Sequence, residues 1–308
     1  MSALRLIVAG SPAAAVPTLE ALAATQHEIV RVITRPASAQ GRKKVVTPTP
    51  VARSAESFAL PVSEARRLSD LESELLPLEV DLGVIVAFGS LVRSPLLTWP
   101  RLGWINLHFS LLPRWRGAAP VQHAIIAADT HTGATVFQLT EGLDEGDYYA
   151  RLTTPIAAQR TAGSLLDELS HSGAELVTEV VNAFAAGTAV SRPQQGEVTF
   201  APKLGRDDAA LRWAEPVEAV HARLRGVTPE PGAFAVWGDQ VIKILDAAIA
   251  WDAVPMPPGS VLRDGGRVLV GTASSPLELL RVQPAGKKPM SASDWVRGLA
   301  TDRDPVFS

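Results

Sequence analysis

The chain has 308 residues, 46% of them hydrophobic and 20% charged, with a formal net charge of −3. That is ordinary for a soluble globular protein and leaves room for two domains. It contains no cysteine, which excludes disulfide frameworks and zinc–thiolate sites, and its six scattered histidines show no metal-ligand spacing, so no metal is expected.

The N-terminal apolar run is short and soon meets Gly10, Ser11 and Pro12, too early for a signal peptide, and nothing reaches transmembrane length. A cytoplasmic protein is expected. Residues 1–189 carry 15 Lys+Arg against 18 Asp+Glu, and residues 190–308 carry 14 of each. A nucleic-acid partner would therefore have to meet a local patch rather than an overall basic field.

Residues 4–9, LRLIVA, read as a buried strand that stops at Gly10. A helical period follows over 14–25, then a Val- and Ile-rich strand over 27–34. Strand, helix, strand predicts a βαβ unit in a parallel sheet. No G-x-G-x-x-G follows the first strand, so a dinucleotide site is not supported.

Residues 35–50 break the pattern. They hold Arg42, Lys43 and Lys44 beside Gly41 and read as a long loop, either a solvated surface or a basic loop that meets phosphates. A helix over 50–59 and a short strand over 60–65 come next. LSDLESELL (68–76) reads as a helix with a Ser69–Glu72 capping box. DLGVIVAFG (81–89) is apolar enough for a central strand, and LGWINLHFS (102–110) is its expected neighbour.

Further on, PVQHAIIAAD (120–129) reads as a helix and residues 130–140 alternate as a strand. A loop of glycines and acids fills 141–149, with a strand after it. A long helix runs over 161–187 and stops at Gly187. Residues 188–206 lack a helical period, and 190–206 are assigned to an interdomain linker. Beyond them come one helix (215–226) and short strands broken by Gly, Asp and Pro, which suggest a small β-barrel over 207–308. The fold class is thus α/β, a Rossmann-like, mostly parallel sheet domain over 1–189 followed by a β-barrel.

The stretch 102–120, LGWINLHFSLLPRWRGAAP, carries the chemistry. Alternate strand residues point to one side, so Asn106, His108 and Ser110 share a face. Polar groups at a strand's end cost stability unless bonded, and a row of three before a loop suggests a site. Asn106 could donate hydrogen bonds to an oxyanion, and His108 could move a proton near neutral pH. Asp144, in the Gly-rich loop, is the acid placed to orient the histidine. Ligands in such sheets bind at the carboxyl ends of strands, so Phe88 and Gly89 should border the same crevice as His108 and Ser110. Taken singly, each residue also has a bland reading: a capping Asn, a core His, an Asp in turn chemistry.

These residues resemble the signature of the folate-dependent formyltransferases. The family's N-x-H pair falls on Asn106 and His108, and its S-L-L-P folate loop on Ser110, Leu111, Leu112 and Pro113. R-G-A-A-P falls on Arg116 to Pro120, and G-L-D-x-G-D on Gly142 to Asp147, which puts the family's aspartate on Asp144. GRKK (41–44) is similar to the basic insertion of the branch that acts on tRNA, and RVQPAGKKPMSASDW (281–295) is similar to its C-terminal segment.

The resemblance implies a formyltransferase fold with a C-terminal OB-like, tRNA-binding barrel, and no metal. It implies transfer of a formyl group from 10-formyltetrahydrofolate to the α-amine of methionine on initiator tRNA. No protein partner is expected, and the chain is expected to act as a monomer. Asn106, His108 and Asp144 would be catalytic. Ser110 to Pro113, with Phe88 and Gly89, would hold the folate, and Arg42, Lys43 and Lys44 would meet the tRNA. Lys203, Arg206, Lys287 and Lys288 are further candidates on the barrel. Two departures stand out: Phe109, where a smaller residue is expected, and GVTPEPGAF (226–234) in place of N-P-W-P. A formyltransferase acting on an amino sugar or a purine precursor would need the same trio without the basic loop, and a hydrolase releasing formate from the same folate is a second alternative. An RNA-binding module on a dead core would not need the trio. Which group takes the amine proton is left open by the sequence.

Overall fold

The computed structural model describes residues 2–40, 44–298 and 306–307. The chain forms two compact units. The first comprises residues 1–120, 131–155 and 166–201, and the second residues 121–130, 156–165 and 202–308.

In chain order the first part runs β1 (Arg5–Gly10), α1 (Val16–Ala23), β2 (Glu28–Thr34), β3 (Ser38–Gln40), β4 (Val45–Thr47), α2 (Pro50–Ser57), β5 (Val62–Glu64), α3 (Glu72–Leu75), β6 (Leu82–Val86) and β7 (Trp104–His108). Then come β8 (Arg116–Gly117), α4 (Pro120–Ile126), β9 (His131–Gln138), β10 (Tyr148–Pro155), α5 (Ala162–Ala186) and β11 (Phe200–Ala201). Seven strands make one sheet in the order β10-β9-β7-β6-β1-β2-β5. The neighbours among β5, β2, β1, β6 and β7 pair in parallel, and β9 runs antiparallel to β7 and β10. From β1 the chain builds outward to β2 and β5, then returns to β6 on β1's other side. That reversal opens a crevice at the strands' carboxyl ends, where ligands bind in such sheets.

β6 is central and buried along its length, as its unbroken apolar run implies. Gly83 is needed there because a Cβ would lie 2.1 Å from the ring of Trp104. Trp104 is fully buried and donates from Nε1 to the carbonyl of Leu96 at 2.8 Å, so its one polar atom is paired. On β7, the side chain of Leu107 meets α5, where a Cβ on Gly173 would lie 2.8 Å from its Cδ2.

Three sequence expectations change. Residues 35–50 are not loop throughout, since β3 and β4 pair antiparallel there. Gly41, Arg42 and Lys43 lie outside the described residues, while Lys44 is exposed with φ 49°. The helix expected over 68–76 is a 3-10 turn (Leu68–Leu71) followed by the single turn α3, before Pro77. Its cap lies two residues upstream of Ser69–Glu72, with the N–H of Arg67 donating to Oδ2 of Asp70 at 3.1 Å. Part of the segment assigned to the linker over 190–206 makes pairings of its own. Arg192 bridges to Tyr148, and β11 pairs with β8.

The second unit adds α6 (Val217–Gly226), β12 (Phe234–Trp237), β13 (Gln240–Ile249), β14 (Val261–Asp264), β15 (Arg267–Val270), β16 (Leu277–Pro284), β17 (Met290–Ser291) and α7 (Ala292–Arg297). Its antiparallel sheet has the order β12-β13-β16-β15-β14, with β17 on β16. Phe307 bridges to Trp237 at one edge, and Val306 bridges to Ser260 beside the other, so the C-terminal residues link the two edges. Phe307 stacks on Trp213 and Trp295. The barrel expected from the short strands is thus an antiparallel sheet joined at its edges by single bridges.

Candidate active site

β6 and β7 are parallel neighbours, with Ile85 paired to Asn106. Both end at the same crevice. Past β6, Ala87 (φ 48°) and Gly89 (φ 77°) turn the chain away. Arg35, just after β2, holds that turn by donating to the carbonyls of Phe88 (3.2 Å) and Gly89 (2.7 Å). Past β7 the chain enters the loop 109–115. The crevice is a cavity of about 440 Å³, within the usual range for small-molecule sites. Phe88, Gly89, Asn106, His108, Phe109 and Asp144 all line it.

Asn106 and His108 share a face, as strand alternation requires. Asn106 is half-buried, and its carboxamide has no hydrogen-bond partner among the described residues. His108 is buried, with its Nε2 2.8 Å from the carbonyl oxygen of Trp115. A carbonyl only accepts, so Nε2 carries the proton and the lone pair of the neutral ring sits on Nδ1. Nδ1 lies 3.6 Å from Oδ2 of Asp144. Burial pushes the imidazole below its usual pKa, while the Asp144 carboxylate and the Trp115 carbonyl oppose that shift. His108 is therefore neutral near pH 7, with its basic nitrogen facing an anion.

Asp144 occupies the left-handed region (φ 49°), which is uncommon for a residue other than glycine. Its Oδ2 also accepts the N–H of Gly117 at 2.7 Å, and its carbonyl accepts from Nε2 of Gln194 at 2.8 Å. Gly117 itself sits at φ 122°, and a Cβ there would lie 2.7 Å from the carbonyl oxygen of Ala201.

The trio expected from sequence is thus brought to one cavity, together with Phe88 and Gly89. Ser110, Leu111, Leu112 and Pro113 do not line it. Ser110 is fully buried and donates from Oγ to the carbonyl of Arg114 at 2.6 Å. Oγ1 of Thr135 donates to the carbonyl of Ser110 at 2.6 Å and accepts from the N–H of Leu112 at 3.3 Å. Leu112 packs with Phe137 and Tyr148. This loop holds the end of β7 from behind, because its apolar side chains have a core to fill. Phe109, which has no role in the sequence reading, lines the cavity and is buried.

Arg35, Thr135 and Gln194 escape the sequence reading because their partners are backbone atoms distant in the chain, and no local pattern marks those. Among the described residues, no group of three or more His, Cys, Asp or Glu side chains is placed to hold a metal ion, and no helix is long and apolar enough to cross a membrane.

Residues 4–181 match the family model described as formyl transferase, and residues 203–300 match that of the formyl transferase C-terminal domain. A methionyl-tRNA formyltransferase of Leifsonia xyli subsp. xyli is 54% identical over 296 residues, covering 96% of this chain and 97% of its own. Another, of Clavibacter sepedonicus, is 52% identical over 299 residues, covering 97% and 98%. This chain belongs to the formyl transferase family, among its methionyl-tRNA formyltransferases.

Two solved structures share its fold. An N-formyltransferase of Helicobacter canadensis, in complex with folinic acid and dTDP-3-aminofucose, superimposes with a TM-score of 0.68 at 16% identity, covering 90% of this chain and 98% of that one. HypX of Aquifex aeolicus in complex with tetrahydrofolic acid gives 0.68 at 17% identity, covering 96% of this chain and 47% of that one. For a formyl transferase using formyl-tetrahydrofolate, the cavity's chemistry fits. Phe88, Val92, Leu139 and Leu143 supply apolar walls, and Asn106, His108 and Asp144 converge at one place.

Proposed function

We propose that this chain moves the formyl group of 10-formyltetrahydrofolate onto the α-amine of methionine carried by initiator tRNA, using Asn106, His108 and Asp144. The observation that carries this reading is the fixed ring of His108, held at Nε2 by the Trp115 carbonyl and presenting Nδ1 to Asp144, beside an Asn106 carboxamide that has no partner among the described residues.

The amine nitrogen attacks the formyl carbon and the carbonyl electrons move onto oxygen. The Asn106 amide donates to that oxyanion, a contact worth about 2.7–4 kcal/mol in acyl-transfer sites. Nδ1 of His108 takes the proton the amine sheds, and the imidazolium so formed faces the Asp144 carboxylate. The intermediate then collapses: the carbon–oxygen double bond re-forms, the bond to N10 breaks, and the proton passes from Nδ1 to N10. A neutral His108 has its only N–H committed to Trp115, so it supports the oxyanion only after it has taken the proton. No covalent bond to the protein is required.

Phe88 and Gly89 stand at the folate's cavity, and Ser110 to Pro113 contribute by fixing the strand end. On the tRNA side the proposed contacts are Arg42, Lys43 and Lys44, of which Lys44 is described and exposed. Lys203, Arg206, Lys287 and Lys288 are all exposed, and Arg206 lies over the ring of Phe234. All three acting residues come from one chain, so a monomer suffices, and an acceptor used in translation implies the cytoplasm.

The test is a formylation assay with charged initiator tRNA. Asn106→Ala, His108→Ala and Asp144→Ala should each lower kcat at least about a hundredfold. Near-wild-type rates in all three would remove the trio from the chemistry.

A further inference from the structure

Gln194 lies in the non-helical segment after α5, far along the chain from the loop that carries Asp144. Its side chain is half-buried while Pro193 and Gln195 on either side are exposed. Its Nε2 lies 2.8 Å from the carbonyl oxygen of Asp144 and 2.9 Å from that of Gly146. Its Oε1 accepts from an Nη2 proton of Arg116 at 2.7 Å. The partners leave one orientation of the amide: two carbonyls need a donor, and a guanidinium needs an acceptor.

The Asp144 peptide has reason to need such a hold. At φ 49° a β-carbon is crowded, and single residues in that region persist when their surroundings fix them. The carboxylate is fixed at one end by the N–H of Gly117, and the carbonyl at the other end by Gln194. Both restraints lead back to one place, because Arg116 and Gly117 form β8, which pairs with Phe200 and Ala201 of the same return segment.

We propose that Gln194, seated by Arg116, is a positioning residue for formyl transfer that holds Asp144 in its strained backbone conformation with its carboxylate facing His108. This rests on the reading of Asp144 given above. Gln194 does not line the cavity, and of the residues that it holds Asp144 is the one proposed to act in the reaction.

The test uses the full-length protein, 10-formyltetrahydrofolate and methionyl-tRNA. Gln194→Glu keeps the shape and the contact to Arg116 but removes both donors and sets an anion against two carbonyls. Gln194→Ala removes everything. Both should lower kcat about ten- to a hundredfold while KM for the folate changes less than about twofold. Gln194→Glu should keep the wild-type melting temperature within a few degrees. The decisive arm is Gln194→Ala in an Asp144→Ala background. If Gln194 works through Asp144, the second substitution lowers kcat no further.

Wild-type kcat in Gln194→Glu, or full multiplication of the two losses in the double variant, would overturn the proposal. Asp144→Ala alone keeps the two claims apart. A large loss there with no loss at Gln194 sinks only the positioning role. No loss at Asp144→Ala sinks the catalytic reading beneath it.

Discussion

His108 and Asp144 face each other with Nδ1 3.6 Å from Oδ2, and that same oxygen accepts the N–H of Gly117 at 2.7 Å. The carboxylate is thus anchored by backbone independently of the histidine. It can meet an imidazolium without having to move when the ring takes up a proton. This arrangement sets the pH behaviour. Burial lowers the pKa of His108 and Asp144 raises it, burial being the larger effect. An NMR titration of the His108 ring should give a midpoint below 6.5, the ordinary value. In Asp144→Asn the raising charge is gone, so the midpoint should fall further. An upward move would contradict the ion-pair geometry.

The central strand makes a separate prediction about stability. A Cβ on Gly83 would stand 2.1 Å from the ring of Trp104, which is fully buried and tied to Leu96. Gly83→Ala should therefore cost at least about 1–3 kcal/mol, as overpacking does in a core with no room to give. Thermal melting of the purified variant reads this directly.

His221, in the second unit, is buried and its pKa is pushed down to about 4 by burial and by Arg225, against a hydrogen bond to Ala247 and the charge of Asp246. The unfolded chain takes up this proton near 6.5 and the folded one only near 4. Stability should therefore be lost as pH falls from about 6.5 towards 4. Gln in place of His221 cannot titrate, so His221→Gln should flatten the denaturant-midpoint profile over that range. An equally steep profile would assign the acid sensitivity elsewhere.

The basic run should act through phosphates. Alanine at Arg42, Lys43 and Lys44 should weaken methionyl-tRNA binding. The slope of log affinity against log salt should become shallower by about 0.7–0.9 for each phosphate no longer neutralised. Folate binding should be unchanged. Equal weakening of both would mark the segment as structural.

Much of the first unit is legible because its strands are apolar runs separated by helical periods, and β6 in particular could hardly be anything but central. Asn106 and His108 are legible because strand alternation places them without any tertiary knowledge. Asp144 is found through a motif, but its left-handed backbone and its bond to Gly117 depend on residues folded together from afar. The resemblance implies that the S-L-L-P segment holds the folate, yet these residues do not line the cavity. Leu112 has Phe137 and Tyr148 to pack against, and tertiary packing decides its direction. The segment after Gly187 lacks a period and reads as a linker. Its order comes from pairing with β8 and from the side chain of Gln194, and neither leaves a local pattern. β9 shows the same limit: it alternates in sequence, yet Val136 and Phe137 are both fully buried because it lies inside the sheet with cover on both faces.

The central claim is that His108, set by Trp115 and Asp144, works with Asn106 to move a formyl group onto methionyl-tRNA. A single-turnover assay with 10-formyltetrahydrofolate and charged initiator tRNA, comparing wild type with His108→Ala, tests it most directly. The account predicts rapid N-formylmethionyl-tRNA formation by wild type and at least about a hundredfold slower formation by the variant, with folate binding retained. Equal rates, or folate binding by the wild type with no transfer to the tRNA, would contradict it.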